Sequence, residues 1–114
     1  MIQPLETYTD YTQAVKDAGS DLIVLDFYAD WCGPCKRLTP VLEELAERFE
    51  NVHFYKVNVD VHEQLTQEYK IACMPTIHFV RDGESVESVT GANPDAITET
   101  LEKYASDTAT LCRE

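Results

Sequence analysis

The run Leu22-Ile23-Val24-Leu25-Asp26-Phe27-Tyr28 constrains this chain more than any other stretch. It is rich in strand formers and apolar on both alternating faces except at Asp26. A strand of that kind needs cover on both sides, so it belongs at the centre of a sheet with layers above and below. At 114 residues the chain fits one compact domain with a core of useful size.

The elements around this strand alternate. Leu38, Val41, Leu42, Leu45 and Phe49 recur at helical spacing, with Glu43, Glu44, Glu47 and Arg48 on the other face. Pro40 lies inside that pattern and predicts a kink, because it lacks a donor and crowds the carbonyl four residues back. Val52 to Val59 reads as a second strand. Asp60 with Glu63 three residues on marks the start of a helix running to about Tyr69. Thr76–Val80 and Glu84–Val89 form a hairpin through Asp82-Gly83. Asn93-Pro94 opens the last helix, which buries Ile97, Leu101 and Tyr104. At the start, Ile2 to Glu6 is a short edge strand, where Pro4 is tolerated. Tyr11, Ala14, Val15 and Ala18 mark a first helix ending at Gly19. The order β-α-β-α-β-α-β-β-α predicts an α/β fold, a central mixed sheet with helices on both faces. The domain spans 1–105, and 106–114 reads as a polar, flexible tail.

Chemistry concentrates at Trp31-Cys32-Gly33-Pro34-Cys35-Lys36, between the central strand and a helix. There Cys32 meets the unpaired N–H groups and the positive end of the helix dipole, which favour a thiolate. Cys35 lies about one turn on, close enough for a disulfide. Pro34 stiffens the loop that joins them. A lone C-x-x-C also serves as half a zinc site, but Cys73, Cys112, His53, His62 and His78 supply no second close pair. A purely structural bridge over so short a loop would remove little unfolded-state entropy.

Charge narrows the partners. Nine Lys and Arg stand against 21 Asp and Glu, a formal net charge of −12, so a nucleic acid would be repelled. No run of about 18 apolar residues suggests a membrane span. The N-terminal residues do not read as a secretory signal. With a close cysteine pair rather than a spread-out framework, this predicts a reducing, cytoplasmic setting.

The stretch Val24 to Lys36, with Met74-Pro75-Thr76 and Gly91-Ala92 further on, resembles the thioredoxin family, and the likeness covers roughly residues 2–105. The resemblance implies a thioredoxin fold and a protein-disulfide reductase with no bound cofactor. Cys32 would be the exposed nucleophile and Cys35 the more buried resolving thiol. Asp26, buried behind them, would transfer protons. Lys56 would either pair with Asp26 or stay solvated. The Met74–Pro75 bond would be cis. Trp31, Gly33, Pro34, Met74, Pro75, Gly91 and Ala92 would form the docking surface. The implied partners are disulfide-containing client proteins and a thioredoxin reductase drawing on NADPH.

Three positions depart from the family or extend it. Tyr28 stands where many members have Trp or another residue, a change expected to alter packing only. Asp30, two residues before Cys32, disfavours its thiolate mildly. Cys73 lies beside the docking surface, either inert or able to link two otherwise monomeric molecules on oxidation; Cys112, in the tail, is a weaker candidate for a regulatory thiol. Two rival functions share the fold. One is an oxidase or isomerase domain, which Gly33-Pro34 disfavours. The other is a binding module whose redox state gates its grip. A glutaredoxin fits Trp31-Cys32-Gly33-Pro34-Cys35 poorly.

Overall fold

In a computed structural model, residues 2–113 are described, with backbone alone for 106–113. The expected flexible tail and Cys112 therefore fall outside the fully described residues. The elements are β1 (Gln3–Pro4), α1 (Tyr8–Ala18), β2 (Ile23–Tyr28), α2 (Gly33–Arg48), β3 (His53–Asn58), α3 (Glu63–Glu68), β4 (Thr76–Arg81), β5 (Glu84–Thr90) and α4 (Pro94–Arg113). Their order matches the alternation of periodicities in the sequence.

The strands pair as β1-β3-β2-β4-β5, so β2 is central. β1 and β2 both run parallel to β3, whereas β4 is antiparallel to β2 and β5 to β4. The short, proline-bearing β1 sits at one edge, where a missing N–H costs no ladder bond.

Alternation along β2 sends its side chains to two cores. Leu22 and Val24 pack with Leu38, Leu42 and Leu45 of α2 and with Ile97 and Leu101 of α4. Ile23, Leu25 and Phe27 pack with Tyr11, Ala14 and Ala18 of α1 and Leu65 of α3. Both faces of the sheet are thus covered, as the double apolar face of the strand required. Leu42 is fully buried in the first core. Its replacement by Ala leaves a cavity there, and urea unfolding is expected to show a loss of about 2 to 5 kcal/mol. A loss below about 1 kcal/mol would mean that this face is loosely packed.

Local signals account for most element ends. The Thr7 side chain accepts from the Asp10 N–H, and the Asp10 carboxylate accepts from the Thr7 N–H, a reciprocal capping box at α1. The Asn93 side chain accepts from the Ala96 N–H at 3.2 Å, capping α4 as its sequence predicts. The β4–β5 hairpin turns through Asp82 and Gly83 at φ 55° and 79°. Two successive positive φ values match the right-handed twist of the strands and explain the Asp-Gly pair. Pro40 lies inside α2 without ending it.

The start of α3 differs from its sequence signal. The cap is His62, whose Nδ1 accepts from the Leu65 N–H at 3.4 Å. Asp60 stays outside the helix because its groups are engaged elsewhere. Its N–H donates to the Asn58 side chain at 2.9 Å, and its carboxylate accepts from the Trp31 indole.

Candidate active site

Where β2 passes into α2, the chain brings Cys32 and Cys35 together. Cys32 is the N-cap residue of α2, in extended conformation, with Gly33 and Pro34 in the first turn. The two sulfurs are joined in a disulfide, with Cα atoms 5.3 Å apart. That separation falls in the usual range for a bridge and follows from three residues of helical rise. The Cys35 backbone N–H donates to Cys32 Sγ at 3.1 Å. When the bridge opens, the same orphan N–H is placed to stabilise a thiolate on Cys32, alongside the positive end of a 16-residue helix.

Cys32 does not stand out from the surface in this oxidised state. It is 5% accessible against 3% for Cys35, so the expected contrast between exposed and buried thiols is absent. The reason is packing: the bridge holds Cys32 against Ala29, with Tyr28, Val59 and Met74 around the cluster. The groups that do reach solvent at the site are its neighbours, Trp31, Gly33 and Pro34.

Trp31 is 69% exposed, which excludes a core role. Its indole N–H donates to the Asp60 carboxylate at 3.0 Å, so the ring is held in place although solvated. Val61, next to Asp60, is 61% exposed. Sequence reasoning missed both neighbours, because Asp60 read as a helix-start signal and Val61 carried none.

The second half of the surface comes from the β4 end. The Met74–Pro75 peptide bond is cis, as the resemblance implied. Met74 is half-buried against the cysteine cluster, and Pro75 is buried. The Gly91 N–H donates to the Pro75 carbonyl at 2.8 Å, which ties Gly91 and the exposed Ala92 to this edge. Of the expected docking set, then, Pro75 is a support rather than an exposed contact. Cys73 is a free, exposed thiol, and its carbonyl accepts from the Thr76 hydroxyl at 2.6 Å.

Asp26 is buried on the α2 side of the sheet at 7% accessibility, and its Oδ1 has no hydrogen-bond partner. Burial pushes its carboxyl up to about 7, and the positive charge of Lys56 offsets this only in part. The parallel register sets Lys56 directly across from Asp26. Among the described residues no ion pair joins the two; the Lys56 ammonium instead lies over the Tyr28 ring, 5.8 Å from its centre. Lys56 thus acts on Asp26 through its charge without a direct ion pair, and it remains partly exposed. Asp30 is exposed and accepts from the Asn58 amide at 3.4 Å.

A helix-capping cysteine bridged to its neighbour one turn on, set at the end of a buried central strand, defines a thiol–disulfide oxidoreductase. Comparisons with known proteins name the group. The thioredoxin family profile matches residues 3–103. The sponge Geodia cydonium has a thioredoxin 43% identical over 104 residues, covering 90% of this chain and 98% of its own length. The human thioredoxin is 38% identical over 101 residues, covering 89% and 96%. A crystal structure of Fasciola hepatica thioredoxin superposes with a TM-score of 0.87 at 37% identity, covering 90% of this chain and 98% of the other. The chain belongs to the thioredoxin family, and its sheet and helices form the thioredoxin fold.

Proposed function

We propose that this chain is a general protein-disulfide reductase. A client disulfide docks beside Trp31, Gly33, Pro34, Met74 and Ala92. The Cys32 thiolate attacks one client sulfur, forming a mixed disulfide and expelling the other client sulfur as a thiolate. Cys35, deprotonated as its proton passes to Asp26, then attacks Cys32 Sγ. The client leaves with both sulfurs reduced, and the two electrons it gained are matched by the Cys32–Cys35 bridge. The observation that carries this reading is the Cys32–Cys35 bridge at the start of α2, with the Cys35 N–H already on Cys32 Sγ. An unpartnered buried carboxyl that titrates near neutrality suits the proton transfer.

An NADPH-dependent thioredoxin reductase would reset the bridge, and the protein would work as a cytoplasmic monomer. No helix among the described residues is long and apolar enough to cross a membrane. The exposed Cys73 would link two copies only under oxidation.

The reduction potential of the Cys32–Cys35 pair tests the direction of the chemistry. Equilibration with defined thiol–disulfide buffers is expected to place it near about −270 mV, the range of thioredoxin, rather than about −180 mV, that of protein disulfide isomerase. A value near the second would overturn the reductase reading and make the chain an oxidant or isomerase.

A further inference from the structure

Tyr28 occupies a position that the sequence assigns to packing alone, yet its ring touches both the cysteine cluster and the lysine facing Asp26. It follows Asp26 by two residues on β2, so both side chains leave the same face of the sheet. Its ring packs against the cluster of Ala29, Cys32 and Cys35. Its register partner on β3 is Asn58, whose amide donates to Asp30 at 3.4 Å. The Lys56 ammonium lies over the Tyr28 ring at 5.8 Å, within the range of cation–π attraction.

We propose that Tyr28 is a positioning residue of the redox site: its ring engages the Lys56 ammonium and so keeps the lysine from closing an ion pair on the buried Asp26 carboxyl. The register places Lys56 and Asp26 side by side, so the pair is within reach of the lysine stem. Among the described residues the ion pairs do not include Lys56 with Asp26, and the Asp26 Oδ1 has no hydrogen-bond partner. An ammonium on the ring keeps contact with solvent, whereas one on Asp26 would be desolvated with it.

The other groups around the carboxyl do not substitute for this control. β4 sets Ile77 opposite Asp26. α2 and α4 bring apolar Leu38, Leu42, Ile97 and Leu101 to that face, while their Lys36, Arg37, Asp95, Glu99, Glu102 and Lys103 are exposed. The titratable groups at this end are Lys56, Tyr28, Asp30, Cys35 in its reduced form, and Glu6, an exposed residue whose charge acts on Tyr28. Among the described residues, Lys56 is the cation whose charge acts on Asp26. The consequence is a carboxyl that titrates close to neutrality, so that the ionised form that accepts the Cys35 proton and the protonated form that returns it are both populated. That kinetic consequence rests on the reading of Asp26 given above. The positioning itself does not, and it is measured without turnover.

The experiment follows the Asp26 side-chain carboxyl by carbon NMR during pH titration of the oxidised full-length protein. Tyr28→Leu is expected to lower the Asp26 midpoint by about one unit, a tenfold change in its ionised fraction, as Lys56 moves onto the carboxylate. Tyr28→Phe, which keeps the ring, is expected to leave it nearly unchanged. In the double variant Tyr28→Leu, Lys56→Met the drop is expected to vanish. Tyr28→Met repeats the test without a ring if the leucine variant fails to fold. An unchanged midpoint in the ringless variants overturns the proposal. So does a drop that persists without Lys56, since tyrosine would then act by covering the carboxyl and not by holding the lysine.

Discussion

Replacement of Cys32 by Ser is expected to reduce the turnover of a disulfide-bearing protein at least about a thousandfold, to the rate of the buffer alone. A hydroxyl has no accessible anion near neutrality and no affinity for a disulfide sulfur. The helix N-terminus and the Cys35 N–H would then stabilise nothing. Cys35→Ser has a different outcome. Cys32 still attacks, but the sulfur that would resolve the adduct, held one turn away, is missing. The client is expected to accumulate as a one-to-one mixed disulfide on Cys32, visible by mass spectrometry and released by added thiol. If Cys35→Ser turns over normally, the resolving role assigned to Cys35 is wrong. Adducts on Cys73 in place of Cys32 would move the nucleophile to the exposed free thiol.

Asp26→Asn is expected to stabilise the oxidised protein increasingly as the pH rises. In the unfolded chain the Asp26 carboxyl titrates near 3.8, and in the folded chain near 7, because burial penalises its charge. Between those values the folded state holds a proton that the unfolded state has lost. Stability therefore falls as pH increases through this window, and the loss is complete above about pH 7. Below the lower value the carboxyl costs nothing as a charge. Asparagine keeps the shape and never ionises, so its advantage over aspartate is expected to widen by about 3 kcal/mol between about pH 4.5 and pH 8. The quantity to measure is that widening, in denaturant unfolding at the two pH values. The fixed cost of burying an amide beside an unpartnered site cancels from it. A constant difference would show that Asp26 is ionised throughout, with a partner or water taking the charge. The same substitution removes the proton acceptor proposed for Cys35, so its turnover is expected to fall while its stability rises.

The two outcomes separate what each group does. In the proposed reaction the cysteines carry the electrons, and their loss is expected to abolish turnover. In that reaction Asp26 carries a proton, at an energetic cost to the fold that is expected where function requires a group that packing alone would exclude.

Much of this was legible in the chain because it is local. The alternation of strand and helix periods predicted the element order, and the double apolar face of Leu22–Tyr28 predicted a central β2. The pair Cys32 and Cys35 could be read as a bridge because three residues of helical rise fix their spacing whatever surrounds them. Asn93-Pro94 and Asp82-Gly83 announced a cap and a turn through backbone preferences that act over four residues. Asp26 was visible as one charged residue in an apolar strand, and the family resemblance supplied its expected role.

What the tertiary structure decided depends on register and on contacts between distant segments. Trp31 and Asp60 are 29 residues apart in sequence, and only the pairing of β2 with β3 brings the indole to that carboxylate. That engagement draws Asp60 from the helix start its spacing suggested and leaves His62 to cap α3. The same register sets Lys56 beside Asp26 and Asn58 beside Tyr28, which places the ammonium over a ring instead of on the buried acid. The burial of Cys32 is likewise a property of the assembled cluster around the bridge. Local spacing can place a side chain on a face, but its neighbour across the sheet is chosen by how the whole chain pairs.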